Sequence, residues 1–253
     1  MTLRERVGPR EGANTTRASA PASIKNGLPR SFDVIVSLIG LGVCLPLLFL
    51  VALIVWLSSP GGILFKQKRV GRNGTLFVLY KLRTMTPSNS GPQVTSGNDA
   101  RITRVGKFLR RTKIDELPTL WNVLRGDMSL VGPRPEVQKY VDLHKAEWQL
   151  VLKAKPGITD PVTVQLRDEE KLLAQVDGDP EMYYVNELQP LKLSGYLAYL
   201  TVRTWRSDLR VLWQTAAAVI FPTESHGYGA EGGDHDTDPR SLVCTSNTRE
   251  RSK

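Results

Sequence analysis

The polar–apolar pattern of this chain is dominated by one run of 24 uncharged residues, VIVSLIGLGVCLPLLFLVALIVWL, over 34–57. As a straight helix it measures about 36 Å, against a bilayer hydrocarbon core of roughly 30 Å. It begins too late and runs too long for a cleaved signal peptide, and no small-residue cleavage site follows it. Pro46 stands at its thirteenth position, where the missing N–H and the ring bend a helix. Arg17, Lys25 and Arg30 precede the run, and Lys66, Lys68, Arg69 and Arg72 follow it. Positive charge therefore favours neither side. Two topologies stay open: a single spanning anchor, or a re-entrant helix that breaks at Pro46 and leaves on the side it entered.

The pattern changes after a turn at 58–62, SSPGG. The stretch 63–85 alternates apolar and polar residues about Asn73-Gly74, which predicts a β-hairpin. A Ser/Gly/Pro/Asn-rich loop is expected over 86–98, then a helical region from Arg101 in which Phe108 and Leu109 stand among cations. The segment 115–125, DELPTLWNVLR, predicts an amphipathic helix with Leu117, Leu120, Trp121 and Leu124 on one side. Pro118 fits only a first turn, placing Asp115 and Glu116 at the helix N-terminus. Further helices are expected over 137–152 and 166–176. The aromatics of 194–221, among them Tyr196, Tyr199, Trp205 and Trp213, suit a membrane interface or the closure of a core equally well.

These elements amount to an α+β fold, mostly helical. Residues 1–29 read as a disordered basic arm, 30–60 as the membrane helix, 61–221 as one domain and 222–253 as a disordered polar tail.

Charge sharpens this picture. The 253 residues hold 34 Lys+Arg against 25 Asp+Glu, a net charge of +9. The segments 1–59, 137–221 and 222–253 carry +3, −1 and −2, while 60–136 alone carries +9. That stretch calls for an anionic partner: phospholipid, a phosphorylated substrate or nucleic acid. Two cysteines, Cys44 and Cys244, exclude a disulfide scaffold and a typical zinc finger. Three histidines, His144, His226 and His235, leave little for a catalytic triad or a His-rich metal centre. No P-loop is present.

Within 60–136 lies the vicinal pair Asp115-Glu116, directly after Arg110, Arg111 and Lys113. Carboxylates at a helix N-terminus ordinarily cap it. In an anion-binding setting an ionised carboxylate can also attack phosphorus or hold a divalent cation, with a diphosphate supplying further oxygens. Gly132-Pro133-Arg134-Pro135-Glu136 is a turn whose two prolines aim Arg134, and an aimed guanidinium suits bidentate phosphate binding. A non-catalytic membrane-anchored basic module, binding anionic lipid or nucleic acid, is the other reading. It gives the acidic pair no task.

The blocks FKQKRVG (65–71), YKLRTM (80–85), RITRVGKFLR (101–110), DELP (115–118) and NVLRGDMSLVGPRPE (122–136) follow in order. Together, from about residue 30 to 221, the chain resembles the bacterial sugar transferase family, the monotopic phosphoglycosyl transferases of small, minimal-core type. The resemblance implies transfer of a sugar 1-phosphate from a UDP-sugar to a polyprenyl phosphate, undecaprenyl phosphate, with release of UMP. It places the domain on the cytoplasmic face of the bacterial inner membrane, at the first membrane step of exopolysaccharide, capsule, O-antigen or glycoprotein glycan assembly. It makes Asp115 the nucleophile of a phosphosugar–aspartyl intermediate, Glu116 its partner, and Mg2+ the cofactor, on Asp115. Arg110 and Arg134 match nucleotide- and phosphate-lining positions; Lys81, Arg83 and Glu136 join them as substrate-binding residues. Pro46 matches the break of the family's re-entrant helix, although Leu45 precedes it where a Ser is frequent. Membrane lipid, downstream glycosyltransferases and a second copy in a homodimer are the implied partners, and nucleic acid is not. Asp160-Pro161 follows KPGIT (155–159) where many relatives have Gly and a Gln-containing turn, so the resemblance carries over no particular sugar.

Overall fold

In the computed structural model the apolar run is one helix, α1 (Arg30–Ser58), with Pro46 inside it. The structure describes residues 24–86, 95, 97 and 99–221; most of the expected basic arm and of the 86–98 loop, and all of the expected tail, lie outside them. α1 keeps little of its surface from solvent: Val43 and Phe49 are each 74% exposed. It is the one helix among the described residues that is long and apolar enough to cross a membrane.

Both ends of α1 are nonetheless fixed to the rest of the chain. Near its start the Asp33 carboxylate is buried and accepts from Ser129 Oγ at 2.6 Å and the Leu130 N–H at 3.0 Å. Arg30 Nη2 donates to the Leu124 carbonyl at 2.9 Å. Near its end Val51 and Val55 pack with Leu82 and Leu109. There Arg83 donates to the carbonyls of Ser59 at 2.6 Å and Pro60 at 2.7 Å. A helix end leaves carbonyls without intrahelical partners, and a cation beside them is favourable.

The expected hairpin is β1 (Leu64–Val70) and β2 (Leu76–Leu82), antiparallel, with Val70 opposite Leu76. Its turn bends through Asn73 at φ 57° and Gly74 at φ 79°, the left-handed conformation that these two residue types adopt most readily. α2 (Arg104–Thr112) starts on Thr103, whose side chain accepts from the Gly106 N–H. α3 (Thr119–Arg125) then leads to β3 (Ser129–Val131), which pairs in parallel with β4 (Gly157–Thr159) across α4 (Gln138–Leu143) and α5 (Lys145–Val151). At this pairing the backbones nearly touch: a Cβ on Gly157 would lie 2.1 Å from the Gly132 nitrogen, so only glycine fits.

The chain continues through α6 (Pro161–Gln165), α7 (Glu169–Ala174) and α8 (Pro180–Tyr183) into a π-helical turn, Tyr184–Leu188. α9 (Gln189–Val202) and α10 (Trp205–Ile220) close the domain. A buried Asp208 ties α10 to the stretch before α1, accepting from Leu28 N–H, Tyr199 Oη and Arg203. The aromatics of 194–221 divide between the two expected roles: Tyr196 and Tyr199 are in the core, whereas Trp205 and Trp213 are exposed.

Candidate active site

The acidic pair does not start a helix. α2 ends on Lys113 in the left-handed conformation, φ 60°, and the chain makes a 3-10 turn, Ile114–Glu116, before α3 begins at Thr119. Pro118 explains the separation. It has no N–H for the Ile114 carbonyl, so the Leu117 N–H takes that acceptor at 3.2 Å and the α-helical ladder starts only afterwards. The expected apolar face of α3 holds in part. Leu117, Leu120 and Leu124 are half-buried, but Thr119, Asn122 and Val123 form the most buried side, and Trp121 is 51% exposed. Asn122 decides this: its amide donates to the Val78 carbonyl at 2.7 Å and accepts from Tyr80 N–H at 3.1 Å. Leu120 is half-buried between the core around Val123 and α1, beside Gly40.

Locked to β2 in this way, the turn sets Glu116 against Lys81, Nζ to Oε1 at 2.8 Å. The Gly132–Glu136 turn brings Arg134 to the same carboxylate, Nη2 to Oε1 at 2.5 Å and Nη1 to Oε2 at 3.2 Å. Burial pushes the Glu116 carboxyl up, but the Arg134 and Lys81 charges outweigh it and hold it well below the usual carboxylate range. Asp115 is in the opposite state. It is 6% exposed, its Oδ1 has no hydrogen-bond partner, and burial, then the neighbouring Glu116 charge, push it up to about 6. Two adjacent acids are thus held in different protonation ranges, an arrangement typical of acid–base and nucleophilic sites.

A cavity of about 520 Å³ opens beside them. Lys81, Arg110, Glu116, Arg134 and Glu136 line it; Asp115 is not among the lining residues but lies in the chain between two that are, Ile114 and Glu116. Arg110 spans Thr84 Oγ1 at 3.0 Å and Glu170 Oε1 at 2.9 Å. Glu136 is committed to structure, accepting from Arg69 at 2.8 Å, from its neighbour Val137 N–H, and from the Tyr184 hydroxyl. Arg83 is not brought to the cavity. Its guanidinium is spent on the carbonyls that end α1, which corrects its grouping with the substrate-binding residues.

A second wall of the cavity is built from Arg167, Glu169, Tyr184 and Lys192; the first two lie just after Asp160-Pro161, where the sequence departs from its relatives' pattern, and no motif in the sequence marks Tyr184 or Lys192. Lys192 is 7% exposed and pairs with Glu169 at 3.0 Å. One signal was there: Lys192 is the sole charge between Glu187 and Arg203, and a lone cation in an apolar helix seldom stays unpaired.

The family profile of the bacterial sugar transferases matches residues 24–222, α1 and the fold that follows it together. The chain belongs to the bacterial sugar transferase family. It is an enzyme of the sugar-phosphate transferase type. This sugar transferase is 39% identical over 197 residues to the UDP-glucose:undecaprenyl-phosphate glucose-1-phosphate transferase of Caulobacter vibrioides, covering 76% of the chain and 69% of that relative. It is 34% identical over 192 residues to the UDP-N-acetylgalactosamine-undecaprenyl-phosphate N-acetylgalactosaminephosphotransferase of Aeromonas hydrophila, covering 73% of the chain but 45% of that relative. A third, the undecaprenyl-phosphate galactose phosphotransferase of Salmonella typhimurium, is 34% identical over 213 residues, with 76% and 40% covered. The sugar transferase therefore spans less than half of the length of the last two, and the three relatives carry names with three different sugars.

Proposed function

We propose that this sugar transferase moves a sugar 1-phosphate from a UDP-sugar to undecaprenyl phosphate and releases UMP, in two displacements through Asp115. In the first, an Asp115 carboxylate oxygen turns toward the cavity and attacks the phosphorus that bears the sugar. A P–O bond to the carboxylate forms, the P–O bond to the UMP phosphate breaks, and the bridging oxygen leaves with UMP. In the second, an oxygen of the acceptor phosphate attacks the same phosphorus. The acyl-phosphate bond breaks, Asp115 returns as a carboxylate, and the product is a polyprenyl diphosphate sugar. No net proton is required.

The observation that carries this reading is the contrast between the two acids. Glu116 is fixed and ionised by Arg134 and Lys81, whereas Asp115 is buried with a free oxygen beside a cationic cavity. Arg110, Lys113 and Arg134 stand where phosphoryl oxygens gather charge, which is the main demand of phosphoryl transfer. The unpartnered Asp115 Oδ1 also fits a magnesium ion, which commonly takes one or two carboxylates and completes its shell with phosphates and water. Among the described residues no group of three or more His, Cys, Asp or Glu offers another metal site. When bound, the ion would neutralise diphosphate charge.

The attachment of both ends of α1 to one charged domain supports a helix that enters and leaves the membrane on the same side. The cytoplasmic face of the inner membrane, where UDP-sugars are, is the side this reading requires. The product is a first lipid-linked sugar, to be extended by glycosyltransferases.

Purified full-length protein given magnesium, undecaprenyl phosphate and a panel of UDP-sugars releases UMP with at least one donor, and Asp115→Asn does not. No release with any donor, or normal turnover by Asp115→Asn, contradicts the proposal.

A further inference from the structure

The cavity beside Glu116 has a lining of two chemistries. Lys81, Arg110 and Arg134 are cations suited to phosphate, whereas Leu117, Leu120, Val162, Ala218 and Val219 are apolar. A UDP-sugar is polar throughout and gives such a wall nothing to bury.

On α10, Thr215, Ala218 and Val219 line the cavity, the i, i+3, i+4 spacing of one helical face. Thr215 closes the inner side of this face, its hydroxyl 2.7 Å from that of Thr159. Outward the apolar surface does not stop. Val219 is 40% exposed, Ile220 and Phe221 are 67% and 72% exposed, and Leu120 meets α1 at Gly40. A continuous apolar wall thus leads from a phosphate-binding cavity to the helix suited to lipid.

We propose that this wall, between α3 and α10, holds the first isoprene units of the acceptor. An amphiphile with a phosphate head and a branched hydrocarbon chain is the ligand class that uses both sets of residues at once: the head lies among the cations and the chain runs out past Leu120 and Val219 toward α1. This inference rests on the proposed function, since it needs a lipid phosphate as acceptor, and it assigns the acceptor's hydrocarbon chain a wall that the donor does not use.

The two half-reactions separate the donor from the acceptor. Exchange of labelled UMP into UDP-sugar reads the first displacement and needs no acceptor; formation of lipid-linked sugar reads both. Ala218→Trp fills the space against the apolar wall. It raises the KM for undecaprenyl phosphate about tenfold, the loss expected when roughly two methylene groups are no longer buried, and leaves the KM for the UDP-sugar in exchange unchanged. Ala216→Trp, on the exposed side of α10, moves neither. An unaltered acceptor KM in Ala218→Trp overturns the proposal, and so does an equal loss of exchange and transfer in a variant that melts like the parent.

A measurement on the unaltered protein guards against misfolding of the variant. A diazirine-bearing prenyl phosphate labels peptides of 114–125 and 211–221, and undecaprenyl phosphate suppresses the labelling where excess phosphatidylglycerol does not. Labelling elsewhere, or equal suppression by both lipids, overturns the proposal. If the unaltered protein shows no exchange with any UDP-sugar, it is the function itself that fails.

Discussion

Arg134 grips Glu116 with two nitrogens, Nη2 to Oε1 at 2.5 Å and Nη1 to Oε2 at 3.2 Å, from a turn 18 residues further along the chain. This clamp joins the rigid Gly132–Glu136 turn to the 3-10 turn that carries Asp115. A planar fork is needed for it, and a lysine offers only a point charge. Arg134→Lys is therefore expected to lower kcat/KM for the UDP-sugar about a hundredfold, measured by UMP release, although the charge is retained. Equal activity would mean that the fork geometry is irrelevant.

Asp115 is held at a cost to stability. Its folded-state pKa, about 6, exceeds the ordinary value of 3.8, so between these values the folded chain binds the proton more tightly than the unfolded chain. The stabilisation is complete below about pH 4 and is lost as pH rises through about 6, by roughly 3 kcal/mol at most. Asp115→Asn has no such proton to lose. In metal-free buffer it is expected to melt above the parent at pH 8 and close to it at pH 4. A parent more stable than the variant at pH 8 would show that burial of the charge costs nothing.

Arg83 is expected to behave as part of the scaffold. Arg83→Met removes the donors that satisfy the carbonyls after α1 and lowers stability by about 1–3 kcal/mol, seen as a lower melting temperature. The KM for the UDP-sugar stays at the parent value. A raised KM without a change in melting would return Arg83 to the substrate site.

The two ends of α1 are expected on one side of the membrane. With Cys44 and Cys244 replaced by serine, cysteines at Asn26 and Gly62 react alike with a membrane-impermeant maleimide in sealed vesicles of one orientation. Labelling of only one position would make α1 a spanning helix.

Much of this was legible in the sequence because the signals are local. Asn73-Gly74 marked the hairpin, the uncharged run marked α1, and the density of cations over 60–136 marked the site. What escaped depends on contacts across the chain. Nothing local says that Asn122 reaches Val78 and Tyr80, yet that contact turns Trp121 outward and puts Glu116 opposite Lys81. Pro118 was read correctly as incompatible with a helix interior, but its effect is to exclude Asp115 and Glu116 from the helix altogether. The Lys192–Glu169 wall joins residues 23 apart, on α7 and α9, neither of which carries a motif. Arg83 shows the converse: it sits within a conspicuous cationic block and serves the backbone of α1.

The central claim is a covalent bond to Asp115. Incubation with a UDP-sugar and magnesium, without acceptor, followed by acid quench, trypsin and mass spectrometry, tests it directly. The account predicts a mass gain of one sugar phosphate on the peptide of residues 114–125, absent in Asp115→Asn and discharged by undecaprenyl phosphate. A parent protein that turns over yet never carries the adduct, or an adduct that persists in Asp115→Asn, contradicts it.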